Sequence, residues 1–167
     1  MERVQFTYIT YISTSPNKVW NALLDPKITA LYWQHENVSD WRPGSRWEHR
    51  QSGNNRKVVL VGKVIGSLPP NRLVLTWATP DEEEIDEKLS RVTFEIEPFR
   101  GVTRLKVIHD RLEASSEMLT GITDGWPKVL SSLKSLIETG KPLPTLWDEK
   151  HLPESGSRAQ KYESSRA

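Results

Sequence analysis

The chain has 167 residues, 27% of them charged, with a net charge of +1 and no cysteine. That length suits one domain with a real core, and the balanced charge argues against nucleic acid or an acidic membrane as partner. The missing cysteines exclude disulfides, thiolate catalysis and cysteine-based metal sites, and they fit a reducing, cytoplasmic setting.

The opening segment MERVQFTYIT has charged and polar residues where a signal peptide needs an apolar run. No stretch approaches the roughly 18 apolar residues of a membrane span, so no membrane insertion is expected. From Val4 to Ser13 the sequence reads as a strand, with Val4, Phe6 and Tyr8 alternating against Gln5 and Thr7. The apolar phase then slips to Ile9 and Tyr11, which predicts a bulge or a strand covered on both faces. Ser15-Pro16 is an N-cap with proline at the first helical position, and Val19, Trp20, Leu23 and Leu24 form one apolar face. Asp25-Pro26 stops that helix and starts a second through Ile28, Leu31 and Tyr32.

After Tyr32 the pattern is all strand. Pro43-Gly44 turns into Arg46–Gln51, and Gly53-Asn54-Asn55 signals a hairpin. Val58 to Ile65 is a strongly apolar strand, and Pro69-Pro70-Asn71 turns into Leu73–Ala78. The acidic run Asp81 to Glu87 reads as an exposed, solvated connection. Val92, Phe94 and Ile96 alternate with Thr93, Glu95 and Glu97. Arg100-Gly101 turns into Thr103–Asp110, where Leu105, Val107 and His109 alternate with Arg104 and Lys106. Such alternation describes an antiparallel sheet with one buried and one wet face.

Ala114 to Ile122 reads as a short helix, broken at Gly121–Asp124. A long helix follows in DGWPKVLSSLKSLIETGKP, with Asp124 as N-cap, Pro127 in the first turn, and Gly140 and Pro142 as the stop. Trp126, Val129, Leu130, Leu133, Leu136 and Ile137 fall on one helical stripe, which needs a large apolar partner. Beyond Pro144 the sequence turns polar and is expected to be a flexible tail.

The order is strand, two short helices, six strands and a long C-terminal helix. The expected fold is α+β: a curved antiparallel sheet wrapped around the helix, in a domain over residues 1–143 with a tail over 144–167. A sheet wide enough to cover the helix leaves room for a cavity between the two.

Several stretches resemble a known family. They are SPNKVWNALLDP, RPGSRWEH, GKVIGSLPPNRLVLTW, VTFEIEPFRGVTRLKVIHD and GWPKVLSSLKSLIETGKP. In this order they resemble the helix-grip fold of the START-like (SRPBCC) superfamily. The branch is the one related to the C-terminal domain of the activator of the ninety-kilodalton heat-shock chaperone ATPase. The resemblance covers roughly Val4 to Leu143, with Pro127 and the sequence after Pro144 as departures. It implies the fold and, among several functions of the superfamily, lipid carriage, polyketide cyclisation or a co-chaperone role.

The chain has no P-loop, no GxGxxG, no HExxH and no GxSxG elbow, so no catalytic residue and no cofactor are assigned. His35, His49, His109 and His151 show no metal-ligand spacing, and no metal site is assigned. His49 shares the phase of Trp47, and His109 that of Leu105 and Val107, so both point into the concave face, while Glu48 and Arg50 point out. The preferred reading of both histidines is a partly buried, hydrogen-bonded ring; the alternative is an acid, a base or a ligand-orienting group. The cavity-lining candidates are Trp47, His49, Leu75, Trp77, Phe94, Leu105, Val107, His109, Met118, Ile122, Trp126 and Leu130. Val92, Ile96 and Leu133 face the same interior, and a completely filled core is the competing expectation.

Seven tryptophans are spread along the chain, at Trp20, Trp33, Trp41, Trp47, Trp77, Trp126 and Trp147. The preferred function is a module that holds an apolar or aromatic small molecule, lipid-like or polyketide-like, between sheet and helix. Two alternatives remain: a chaperone-binding domain, implied by the resemblance, and a cyclase or aromatase using His49 and His109. The chain is expected to be a monomer or a homodimer paired through a sheet edge.

Overall fold

The computed structural model describes residues 1–144 and 146. Trp147, His151 and all of the expected tail except Pro144 and Leu146 lie outside the described residues. The first strand, β1, spans Arg3–Ile12, and two helices follow, α1 (Pro16–Leu24) and α2 (Pro26–Trp33). Ser15 caps α1 by accepting from the Lys18 amide at 3.4 Å, and Asp25 caps α2 by accepting from the Lys27 amide at 2.9 Å. Each helix therefore begins as its cap-proline pair dictates.

Six strands come next: β2 (His35–Val38), β3 (Arg46–Gln51), β4 (Val58–Leu68), β5 (Arg72–Trp77), β6 (Ser90–Phe99) and β7 (Val102–Glu113). They form one antiparallel sheet with β1, in the order β1-β7-β6-β5-β4-β3-β2. β2 was not delimited by the sequence pattern, because HENV has a single apolar residue. The last element is α3, Glu117–Thr139, lying against β1, β7 and α2. This is an α+β helix-grip architecture, an open curved sheet closed by a long C-terminal helix.

Three details differ from the sequence expectation. The β1 irregularity lies between Val4 and Phe6, not at Ile9, and the strand alternates without a slip. Ile9 and Tyr11 are on its outer face, 40% and 43% exposed, with Tyr11 against Phe99 at a ring separation of 5.2 Å.

The second difference is at α3. There is one 23-residue helix, not two, and its cap is Ser116, which accepts from the Leu119 amide at 3.1 Å. Asp124 is interior and bonds Lys128 one turn on, at 2.8 Å. Gly121, Gly125 and Pro127 are all inside the helix. Their local cost is about 1 kcal/mol per glycine and about 3 for a mid-helix proline. Burial of Ile122, Trp126, Val129, Leu130 and Leu133 against the sheet outweighs it, at about 1.5–3 kcal/mol per large apolar side chain. Gly140, with φ of 81°, ends the helix as expected.

The third concerns the acidic run, which is an exposed connection between β5 and β6 as expected but is not without structure. It folds into two short 3-10 turns, Pro80–Glu82 and Asp86–Lys88, and is tied down at several points. Glu83 takes a bidentate pair from Arg46 of β3, at 2.6 and 3.0 Å, and Lys88 pairs with Glu113 at 3.1 Å.

The inward set is buried as the alternation requires: Trp47, Leu75, Trp77, Val92, Phe94, Ile96, Leu105, Val107 and His109 from the sheet. On β4, Gly62 leaves room for a particular contact. Trp47 Nε1 donates to Thr76 O at 2.9 Å, and a Cβ at residue 62 would fall 1.9 Å from that oxygen. Only glycine fits there.

Candidate functional site

Two histidines are buried between sheet and helix, and each is held by a defined set of partners. His109, at 0% exposure, accepts at Nδ1 from Trp126 Nε1 at 3.1 Å. Its Nε2 is 2.8 Å from Ser90 Oγ, whose own proton goes to Trp77 O at 2.9 Å. The serine proton is therefore committed, so His109 must donate from Nε2, and one tautomer satisfies all four groups. Burial, opposed weakly by the nearby Asp110, brings the His109 pKa down to about 3.

His49 is tied from the other side. Its Nδ1 lies 2.5 Å from Asn37 Oδ1, while the Asn37 amide nitrogen donates to Leu23 O at 3.3 Å. Asn37 Oδ1 is thus an acceptor, His49 Nδ1 carries the proton, and Nε2 keeps a bare lone pair. Burial, followed by the stacked His35 ring at 4.4 Å, holds its pKa well below the usual histidine value.

Between these histidines and α3 the indoles gather. Trp77 is 6.3 Å from Trp33, 4.9 Å from Trp47 and 5.5 Å from Trp126 by ring centroids, and Trp33 lies 4.6 Å from His49. Trp126 meets Phe94 edge-on at 5.7 Å. On the α3 side this aromatic wall is left uncovered where the helix carries glycine. Gly121 and Gly125, one helical turn apart, have nothing within 4 Å of a built Cβ.

The result is an open cavity of about 370 Å³. It is walled by Trp33, His49, Leu60 and Trp77 from α2 and the sheet, and by Met118, Ile122, Trp126 and Val129 from α3, with Gly121 and Gly125 beside them. Thr79 and Glu117 stand where it meets a second, charged cavity of about 460 Å³ that includes Arg3, Lys88, Arg111 and Glu113.

Of the candidates from the sequence, the structure brings together His49, Trp77, Met118, Ile122 and Trp126 around this space. Trp47, Leu75, Phe94, Leu105, Val107, His109 and Leu130 are core residues behind it. His109 has both ring nitrogens engaged, so it holds Trp126 in place and has no lone pair free for acid–base work. Trp33, Leu60, Thr79, Glu117, Gly121, Gly125 and Val129 were not anticipated as wall residues. Val129 had a signal in its place on the α3 stripe, Leu60 in the apolar run Val58–Ile65 and Trp33 in the tryptophan content; a wall made of glycine has no hydropathy signature. Among the described residues, no group of three or more His, Cys, Asp or Glu is placed to hold a metal ion.

No curated protein matches the sequence. Among solved structures, the chain is similar to the Aha1 dimer from Colwellia psychrerythraea, with a TM-score of 0.69 and 19% identity over 83% of this chain and 98% of that one. An HSP90 activator from Plasmodium falciparum gives a TM-score of 0.65 and 22% identity, covering 83% of this chain and 97% of that one. DynU16, a putative protein of the dynemicin biosynthetic locus, gives 0.66 and 19% identity, over 87% of this chain and 51% of that one. At such identities these likenesses speak for the fold. The family model described as activator of Hsp90 ATPase homolog 1-like protein matches residues 13–138, from the end of β1 to the last turn of α3. With three quarters of its length inside that match, and the sheet and helix of the same architecture, this chain belongs to the activator of Hsp90 ATPase homolog 1-like family.

Proposed function

We propose that the protein is a small-molecule binding module which holds an aromatic, largely apolar ligand in the cavity between α3 and the β3–β5 side of the sheet. The observation that supports this best is the wall itself. Three indoles, an imidazole and four aliphatic or thioether side chains surround about 370 Å³ of open space. That volume is within the usual range for ligand pockets and suits a two- or three-ring molecule. A flat aromatic entering it would cover apolar surface that otherwise faces water, at about 25 cal/mol per Å².

The binding unit is residues 1–143, acting in the cytoplasm. No helix among the described residues is long and apolar enough to cross a membrane. A thermal-shift screen against planar aromatics, polyketides, fatty acids and sterols tests the reading, with confirmation by tryptophan quenching. A ligand at a hundred times its dissociation constant raises stability by about 2.7 kcal/mol. Stabilisation by aromatics with quenching supports the proposal; no stabilisation by any class overturns it.

A second reading has support from the family: a chaperone-binding role like that named for the HSP90 activator from Plasmodium falciparum. A pull-down with purified chaperone and an ATPase assay tests it. Stimulated ATP turnover, unaffected by blocking the cavity, favours this reading over ligand binding.

A further inference from the structure

After Gly140 the chain does not leave α3 but turns back along it. Ser135 Oγ donates to Lys141 O at 2.8 Å, and the Leu143 amide donates to Ser132 Oγ at 3.2 Å. The backbone after the helix therefore runs toward the N-terminal end of α3. Pro142 and Pro144 favour an extended course. Leu146, the last described residue, is half-buried, so the chain still lies against the protein there.

Ahead on that path is the mouth of the aromatic cavity. Ser132, Gly125 and Gly121 are seven and four residues apart, which sets them on one stripe of α3. From Ser132 back to Gly125 the helix rises about 10 Å. From Leu143 onward, extended chain covers about 12 Å by Trp147 and so comes level with Gly125. Here the helix carries no side chain, with nothing within 4 Å of a built Cβ, and the open space of about 370 Å³ beside it is walled by indoles. An indole, flat and two-ringed, suits such a space in shape and chemistry.

We infer that the C-terminal segment of this chain is the occupant of its own cavity: Trp147, carried back along α3, enters beside Gly121 and Gly125 and packs on Trp33 and Trp77. Glycine at both positions leaves the ring a way in. A short tether gives a group an effective concentration in the millimolar range. Resting on the binding reading above, an outside aromatic then competes with Trp147, and its apparent affinity falls with the fraction of molecules whose cavity is free.

Two readouts on the full chain test this. Without any ligand, nuclear Overhauser effects are expected between the Trp147 ring protons and the α-protons of Gly121 and Gly125, with Trp147→Ser assigning the indole signals. Their absence overturns the inference. In equilibrium dialysis, fluorenone is expected to bind Trp147→Ser about tenfold more tightly than the unaltered protein. Equal, measurable affinity for the two overturns the competition. Fluorenone binding to neither protein counts against the ligand reading alone, because the Overhauser effects are read without it and decide where Trp147 sits.

Discussion

The indole N–H of Trp126 points its proton at Nδ1 of His109, 3.1 Å away, and fixes the tautomer of a histidine that has no exposure to water. The same contact holds the Trp126 ring at the cavity wall. Adding a proton to His109 would set two donors against each other. That arrangement and burial act in the same direction.

Replacing Trp126 by phenylalanine therefore removes a donor and leaves a buried acceptor unpaired. The expected loss is about 1–3 kcal/mol by urea denaturation. The His109 pKa, now about 3, is expected to rise, because the group that favoured the neutral ring is gone. Histidine ring shifts followed against pH would read it directly.

Acid sensitivity follows with a definite sign. Both histidines are neutral in the native state and titrate near 6.5 once unfolded. Below 6.5 the unfolded chain binds more protons than the folded one, so stability falls as pH falls. For His109, with a folded pKa of about 3, the expected loss between pH 7 and pH 5 is about 2 kcal/mol, and His49 adds a loss of the same sign. His109→Gln should flatten the profile by that share. Glu83, held below its usual 4.5 by the Arg46 hydrogen bond, loses its contribution only at more acid pH. Identical slopes for the two proteins between pH 5 and 7 would contradict this account.

Gly62→Ala is expected to be severe, about 3 kcal/mol or more, since its Cβ would lie 1.9 Å from Thr76 O and 2.6 Å from Trp47 Nε1. Gly66→Ala on the same strand is the control. There the nearest atom is Val74 Cγ2 at 3.9 Å, and little change is expected. Thermal melts of the pair separate close backbone approach from a general intolerance of alanine in β4.

The α3 glycines should give effects of opposite sign. Gly121→Ala and Gly125→Ala are each expected to raise stability by about 0.4–1 kcal/mol, because the helix gains and nothing is in the way. A larger group at the same place, Gly125→Leu, should fill the cavity mouth and lower ligand affinity at least tenfold while the melting temperature stays the same or rises. Calorimetry and a melt on one sample read both quantities.

The fold was legible because its punctuation is strong. Ser15-Pro16, Asp25-Pro26 and Gly140 each end or start an element where the sequence places them. The start of α3 was not, since Gly121 and Asp124 look like a break and a cap until the burial of Ile122 and Trp126 is counted. β2 was hidden for a similar reason: Asn37 is buried, but it is held by hydrogen bonds to Thr29, Leu23 and His49 that hydropathy does not register. Alternation told which side chains face inward, yet not where packing stops. Leu105 and Val107 share the phase of His109 and end in solid core, while the opening lies beside two residues with no side chain.

The central claim is that the aromatic cavity takes up a ligand, and the indole N–H signals of the tryptophans test it most directly. In a nitrogen–proton correlation spectrum, titration with fluorenone is expected to move the Trp33 and Trp77 signals most. The Trp126 signal should shift less, its proton being held by His109, and the Trp47 signal should stay near its starting position. A spectrum unchanged at saturating fluorenone, or shifts confined to tryptophans outside the wall such as Trp20 and Trp41, would contradict it.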